Sequence, residues 1–168
     1  MNKREITQTY GGEEKGGVAL KNIVFVCTGN TCRSPMAQVM ANDIFSTRGL
    51  LLRAHSCGVF AHVGSSASAH AVSAVREAYG LDLAGHVSQS ASLELLEAAA
   101  VIICMTSSHK SHLFTQFAQF KAKTYTLLEL AGEKGNITDP FGGNISIYNN
   151  CMLQIKKYLD KIEWGNYL

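Results

Sequence analysis

Residues 22–27, Asn-Ile-Val-Phe-Val-Cys, form an unbroken apolar, β-branched run. A run of this kind is a strand buried on both faces, so the chain must place a covering layer above and below it. The turn-like Thr28-Gly29-Asn30 follows at once. Pro35 suits a first helical position, and Met36, Val39, Met40 and Ile44 continue a helix toward Gly49. The alternation then repeats. A second strand is predicted over 50–59, then a helix capped by Ser68 that runs through Val72, Val75 and Tyr79 and stops at Gly80. A short helix over 93–98 leads into a strand over 100–105, and Ser107 or Ser108 is placed to cap the next helix toward Phe117. A fourth strand is predicted over 123–127, followed by a Gly-rich loop over 131–143. Ile145, Tyr148, Met152, Ile155, Leu159 and Ile162 then share one stripe of a last helix, with Trp164 and Tyr167 expected to cover its edge. Strands alternating with helices predict an α/β fold, an open parallel sheet with helices on both faces. Such sheets bind ligands at the carboxyl ends of their strands, and Cys27 sits at that edge.

At 168 residues and 46% hydrophobic content, the chain has the core of one domain. Residues 21–168 are expected to form it, with the polar, Gly-rich residues 1–20 as a flexible arm. A net charge of +2 from 15 basic and 13 acidic residues leaves no basic stripe, which argues against nucleic acid or a membrane surface as partner. No apolar run has the length of a membrane span and residues 1–17 contain no apolar signal segment, so a cytoplasmic monomer is expected.

The five cysteines are Cys27, Cys32, Cys57, Cys104 and Cys151. Their odd number and open spacing fit neither a disulfide scaffold nor a zinc site. His109 and His112 lack a third ligand, so no metal is expected.

Chemistry concentrates in Cys27-Thr28-Gly29-Asn30-Thr31-Cys32-Arg33-Ser34. The five residues between Cys27 and Arg33 suffice for a loop whose backbone N–H groups converge on one anion, with Gly29 relaxing the backbone. The helix that follows adds its partial positive charge and unpaired donors at the same point. That field favours the thiolate of Cys27, the nucleophilic form of the side chain. Arg33 offers a planar fork able to hold two phosphoryl oxygens. Ser34 is suited to donate a hydroxyl hydrogen bond to the Cys27 sulfur, and Asn30 to hold a left-handed backbone and tie the loop together. The segment lacks the Gly-Lys-Ser/Thr of a Walker loop and the glycine spacing of a dinucleotide-binding turn. A leaving group also needs a proton. Asp139, held extended by Pro140 and walled by Phe141, is the candidate general acid.

The segment 26–37, Val-Cys-Thr-Gly-Asn-Thr-Cys-Arg-Ser-Pro-Met-Ala, resembles the signature loop of the low-molecular-weight protein tyrosine phosphatases, and Asp139-Pro140-Phe141 resembles their acid loop. The likeness spans residues 22 to about 162, with Ser56-Cys57-Gly58, Gly80-Leu81-Asp82 with His86, and Met105-Thr106 with His109-Lys110 in the family's order. The resemblance implies a Rossmann-like, four-stranded parallel sheet with flanking helices. It also implies a phosphocysteine intermediate on Cys27, Arg33 as phosphate binder, Asp139 as acid and then base, phosphorylated proteins as substrates, and neither metal nor cofactor. Thr28, Gly29, Asn30, Thr31, Cys32, Ser34 and Phe141 are assigned to substrate binding.

Within the family, Thr31 and the stretch 135–143 resemble the bacterial protein arginine phosphatases more than the tyrosine-specific members, which implies phosphoarginine as substrate. Thr31 leaves room and a hydroxyl near the scissile bond, and an ionised Asp139 can pair with a guanidinium. Phe141 and Gly142 stand where tyrosine enzymes often carry paired tyrosines, which removes that route of regulation. The family also implies that Cys32 forms a protective disulfide with Cys27 under oxidants. Phosphotyrosine hydrolysis is the alternative reading. A third is arsenate reduction on a similar loop, which needs resolving cysteines; the chain has no closely spaced pair, and Cys104 would need a long reach.

Overall fold

Alternate side chains of Lys21–Cys27 (β1) enter two separate apolar layers, as a strand covered on both faces requires. In the computed structural model, which describes residues 14, 15 and 18–168, Ile23, Phe25 and Cys27 face one layer and Val24 and Val26 the other. β1 pairs in parallel with Leu52–Gly58 (β2) on one side and with Ala99–Cys104 (β3) on the other. Thr124–Thr126 (β4) pairs in parallel with β3, giving the order β2-β1-β3-β4. The expected four-stranded parallel sheet is therefore present.

The larger layer is filled from Arg33–Thr47 (α1), Ala69–Tyr79 (α2) and the C-terminal Ile145–Lys161 (α6). On α6 the stripe of Tyr148, Cys151, Met152, Ile155 and Leu159 is buried, each large aliphatic side chain contributing about 1.5–3 kcal/mol. The smaller layer is closed by Leu95 and Leu96 of Leu93–Glu97 (α3), Leu113 of Ser107–Gln116 (α4), and Phe120. Trp164 lies within the core rather than at its edge: it is 1% exposed, meets Phe45 edge-on with ring centroids 4.9 Å apart, and donates its indole N–H to the Leu159 carbonyl.

Several boundaries differ from the sequence expectations. α1 begins at Arg33, not at Pro35, and Met36 N–H makes the first bond, to the Cys32 carbonyl. A proline is accommodated there because the first turn has no acceptor for its N–H in any case. Ser68 precedes α2 without capping it; its hydroxyl donates to Tyr148 Oη instead. α4 is capped by Thr106, whose Oγ1 accepts from the His109 N–H, and not by Ser107 or Ser108. The fourth strand stops at Thr126, because Thr126 and Glu129 form a reciprocal capping box that opens the short helix Leu127–Leu130 (α5). The flexible arm expected over 1–20 falls largely outside the described residues; within it, Glu14–Lys15 pairs antiparallel with Val18–Ala19. No helix among the described residues is long and apolar enough to cross a membrane.

Candidate active site

β1 delivers Cys27 to the carboxyl edge of the sheet, directly opposite Gly58 of β2. Between Cys27 and α1 the chain turns through Asn30, whose φ of 56° is left-handed, the conformation a short polar side chain tolerates best. The loop carbonyls are tied to the surrounding scaffold. Val59 N–H donates to Cys27 O, Phe60 N–H to Thr28 O and Ser68 N–H to Thr31 O. His86 Nε2 lies 2.7 Å from Asn30 O, and since a carbonyl only accepts, this nitrogen carries the proton. With the carbonyls drawn outward, the N–H groups of Gly29, Thr31 and Cys32 take no acceptor among the described residues. They form a concave set of donors suited to an anion.

Asn30 holds this loop from within. Its amide donates to Ser34 Oγ at 2.9 Å and to Ser56 Oγ at 2.8 Å, and its carbonyl oxygen accepts from the Gln89 N–H at 2.9 Å. Because Asn30 donates into Ser34 Oγ, the single serine hydrogen is left for Cys27 Sγ, 2.9 Å away, or the Cys57 carbonyl, 3.3 Å away, and the nearer sulfur is the better placed. Gly58 is required for close approach: a Cβ there would stand 2.4 Å from Thr28 O.

Arg33 is buried, with Nη1 donating to Ile137 O at 3.3 Å and Nη2 lying 3.4 Å from Thr28 Oγ1 and 3.1 Å from Asp139 Oδ2. The segment carrying Asp139 is pinned on its N-terminal side, against the end of β3 and against α6. Ile137 N–H donates to Met105 O at the end of β3. Thr138 N–H donates to Gln154, and Cys151 Sγ to Thr138 O. Asp139 Oδ1 also accepts from the Phe141 N–H, holding a local turn. A cleft of about 210 Å³ lies over the sulfur, lined by Cys27, Thr28, Gly29, Thr31, Cys32, Arg33, Asp139 and Phe141. Of the ten residues singled out in the sequence, only Asn30 and Ser34 stand behind the cleft wall, and both act on the loop or on Cys27 through hydrogen bonds.

The description "Low molecular weight phosphotyrosine protein phosphatase" fits residues 22–163. The chain is 39% identical to the protein-arginine-phosphatase of Bacillus subtilis (strain 168) over 142 residues, 84% of this chain and 93% of that one. The chain belongs to the low-molecular-weight phosphatase family. A low-molecular-weight protein tyrosine phosphatase from T. tengcongensis superimposes with a TM-score of 0.82 at 36% identity, covering 84% of this chain and 96% of that one. The YwlE arginine phosphatase, in a Cys-to-Ser mutant with a phosphorylated active-site serine, superimposes with a TM-score of 0.80 at 40% identity, covering 83% and 91%. As a member of this family the chain is a cysteine-dependent phosphatase.

Three features of this phosphatase escaped the sequence reading. His109, expected from the sequence as one of a pair with His112 and as a residue in the family's order, but with no role, reaches the loop after Cys27: its Nε2 is 2.8 Å from Thr28 Oγ1. Burial, and next the Arg33 charge, lower its pKa to about 4, so the ring is neutral at pH 7. Tyr148, read only as part of an apolar stripe, places its hydroxyl 3.2 Å from Cys32 Sγ, and burial first and this contact second push its pKa up to about 12. Gly58, placed in the family's order by the sequence, carries the close approach described above, which a glycine at a strand end does not by itself announce. Of the remaining cysteines, Cys151 backs the acid loop through its bond to Thr138 O. Cys57 and Cys104 face the smaller layer, opposite Cys27. Burial raises Cys57 well above a usual thiol and brings Cys104 and Cys151 to about 12.

Proposed function

We propose that this phosphatase hydrolyses phosphoarginine in proteins. The observation that carries the reading is the pairing of Thr31 and Asp139 across one narrow cleft above Cys27. A guanidino leaving group meets the Thr31 hydroxyl and the protonated Asp139 carboxyl, and its N–H groups can donate to the carboxyl oxygen as an aryl ring cannot. The 39% identity to the Bacillus protein-arginine-phosphatase, across nearly all of its length, supports the same substrate.

In this reading the Cys27 thiolate attacks phosphorus while the loop N–H groups and Arg33 hold the phosphoryl oxygens. The S–P bond forms as the P–N bond breaks, and the departing nitrogen takes the proton of the Asp139 carboxyl. Asp139, now ionised, removes a proton from the water that attacks the phosphocysteine. Inorganic phosphate leaves, and the Cys27 thiolate is restored beside the Ser34 hydroxyl.

Phe141 favours a second reading. Its ring is 80% exposed at the cleft wall, where it could lie against the ring of a phosphotyrosine. Arsenate reduction fits poorly, because the resolving thiol would be Cys104, which is fully buried on the opposite face of the sheet from Cys27. The test is kcat/KM on phosphoarginine and phosphotyrosine peptides of matched sequence for the wild type and Thr31→Ile. The wild type should prefer phosphoarginine, and Thr31→Ile should lower that rate at least tenfold while sparing or raising the phosphotyrosine rate. Equal loss on both substrates would reject the specificity assignment.

A further inference from the structure

The hydrogen-bond chain Arg33–Thr28–His109 leaves one atom without a partner. His109 is 6% exposed, and its Nδ1 is the buried side-chain atom with no hydrogen-bond partner among the described residues. Its other ring nitrogen, Nε2, is 2.8 Å from Thr28 Oγ1. That same oxygen lies 3.4 Å from Arg33 Nη2, which can only donate.

Two tautomers are available to a neutral ring. With the proton on Nδ1, a buried N–H would be orphaned and Thr28 would have to spend its single hydrogen on Nε2. With the proton on Nε2, the orphan is a bare lone pair, which costs less than an unpaired N–H. Thr28 Oγ1 then accepts from both Arg33 and His109, and its own hydrogen has no other acceptor among the described residues. Thr28 lines the cleft above Cys27, so that hydrogen is presented to a phosphoryl oxygen.

We propose that His109 is a positioning residue that fixes the Thr28 hydroxyl as a donor to the bound phosphoryl group and steadies Arg33 through the same oxygen. The ring must be neutral for this, since a cation there would face Arg33. Burial and the neighbouring Arg33 and His112 charges keep it so, opposed only by Asp139. The inference rests on the cysteine-phosphatase reading of the cleft but is indifferent to whether the leaving group is a guanidine or a phenol.

The experiment compares wild type, His109→Leu, His109→Gln, Thr28→Val and the Thr28→Val/His109→Leu double variant. p-Nitrophenyl phosphate serves as substrate, inorganic phosphate as a competitive inhibitor, and a thermal melt of each variant checks folding. Loss of one well-placed hydrogen bond corresponds to about a tenfold change. His109→Leu should therefore lower kcat/KM and raise the phosphate Ki by about tenfold each. The double variant should be no worse than Thr28→Val alone, because His109 acts only through that hydroxyl. His109→Gln, whose amide can place an N–H near the Nε2 position, should recover most of the loss even if the leucine variant folds poorly. The proposal is overturned if His109→Leu stays within twofold of wild type, if the two single losses multiply in the double variant, or if a folded His109→Gln fails to recover activity. Hydrolysis surviving in Cys27→Ser would instead remove the underlying reading of the cleft, and this inference with it.

Discussion

Replacing Asn30 separates the two contributions that this residue makes to the catalytic loop. Asn30 is fully buried, holds a left-handed backbone at φ 56°, and makes three side-chain hydrogen bonds, to Ser34, Ser56 and the Gln89 N–H. At about 1 kcal/mol net for each bond, their loss costs about 3 kcal/mol. A Cβ without a polar group to stabilise the left-handed conformation adds about 1 kcal/mol more. Asn30→Ala should therefore destabilise the fold by about 4 kcal/mol and Asn30→Gly by about 3 kcal/mol. Urea titration measures both, with an unchanged slope showing that the denatured state is not the cause. Both variants should also lose activity, because Ser34 no longer receives the bond that directs its hydrogen to Cys27. If Asn30→Gly matched wild type in stability and turnover, the network would be incidental and only the backbone angle would matter.

Three other perturbations test separate parts of the account. Asp139→Asn keeps the shape of the acid loop but removes its proton, so kcat should fall by about 10²–10⁴-fold in steady-state assays with little change in melting temperature. Gly58→Ala sets a Cβ 2.4 Å from Thr28 O; the loop must shift, and a loss of about 1–3 kcal/mol is expected together with loss of turnover. Burial lowers His55 and His109 to about 4. The unfolded chain binds protons at these positions near pH 6.5 and the folded chain does not. Stability is therefore full above about pH 6.5 and falls as pH drops toward about 4, by at most about 1.4 kcal/mol per pH unit for each histidine. A denaturation midpoint that stayed level across this window would contradict the assignment.

The fold was legible where pattern and packing agree. The apolar run before Cys27 announced a central strand, and the single stripe of the last helix announced a helix with one buried face; both hold. The errors have two sources, side chains that serve long-range contacts and local signals hidden by a stronger pattern. Ser68 has the composition of a cap, yet its hydroxyl goes to Tyr148, 80 residues away. Thr126 ends a strand because Glu129 reaches back to it, a local signal that the β-branched run concealed. At the site, Cys27, Arg33 and the loop between them lie in one segment, so spacing alone brings them together. Asp139 could be named because it sits in a recognisable acid loop, but its 3.1 Å approach to Arg33 depends on Ile137 docking against the end of β3. His109 was marked only by its place in the family's order and Tyr148 only by an apolar stripe: each reaches the loop from a separate helix, and only the packed fold shows that they meet it.

The most direct test is to quench the enzyme during turnover of a phosphoarginine peptide and map the protein-bound phosphate by mass spectrometry. The account predicts phosphate on Cys27 in the wild type, its slower formation when Asp139 is replaced by Ala and can no longer protonate the leaving nitrogen, and none in Cys27→Ala. Phosphate found on another residue, or rapid hydrolysis by Cys27→Ala, would contradict it.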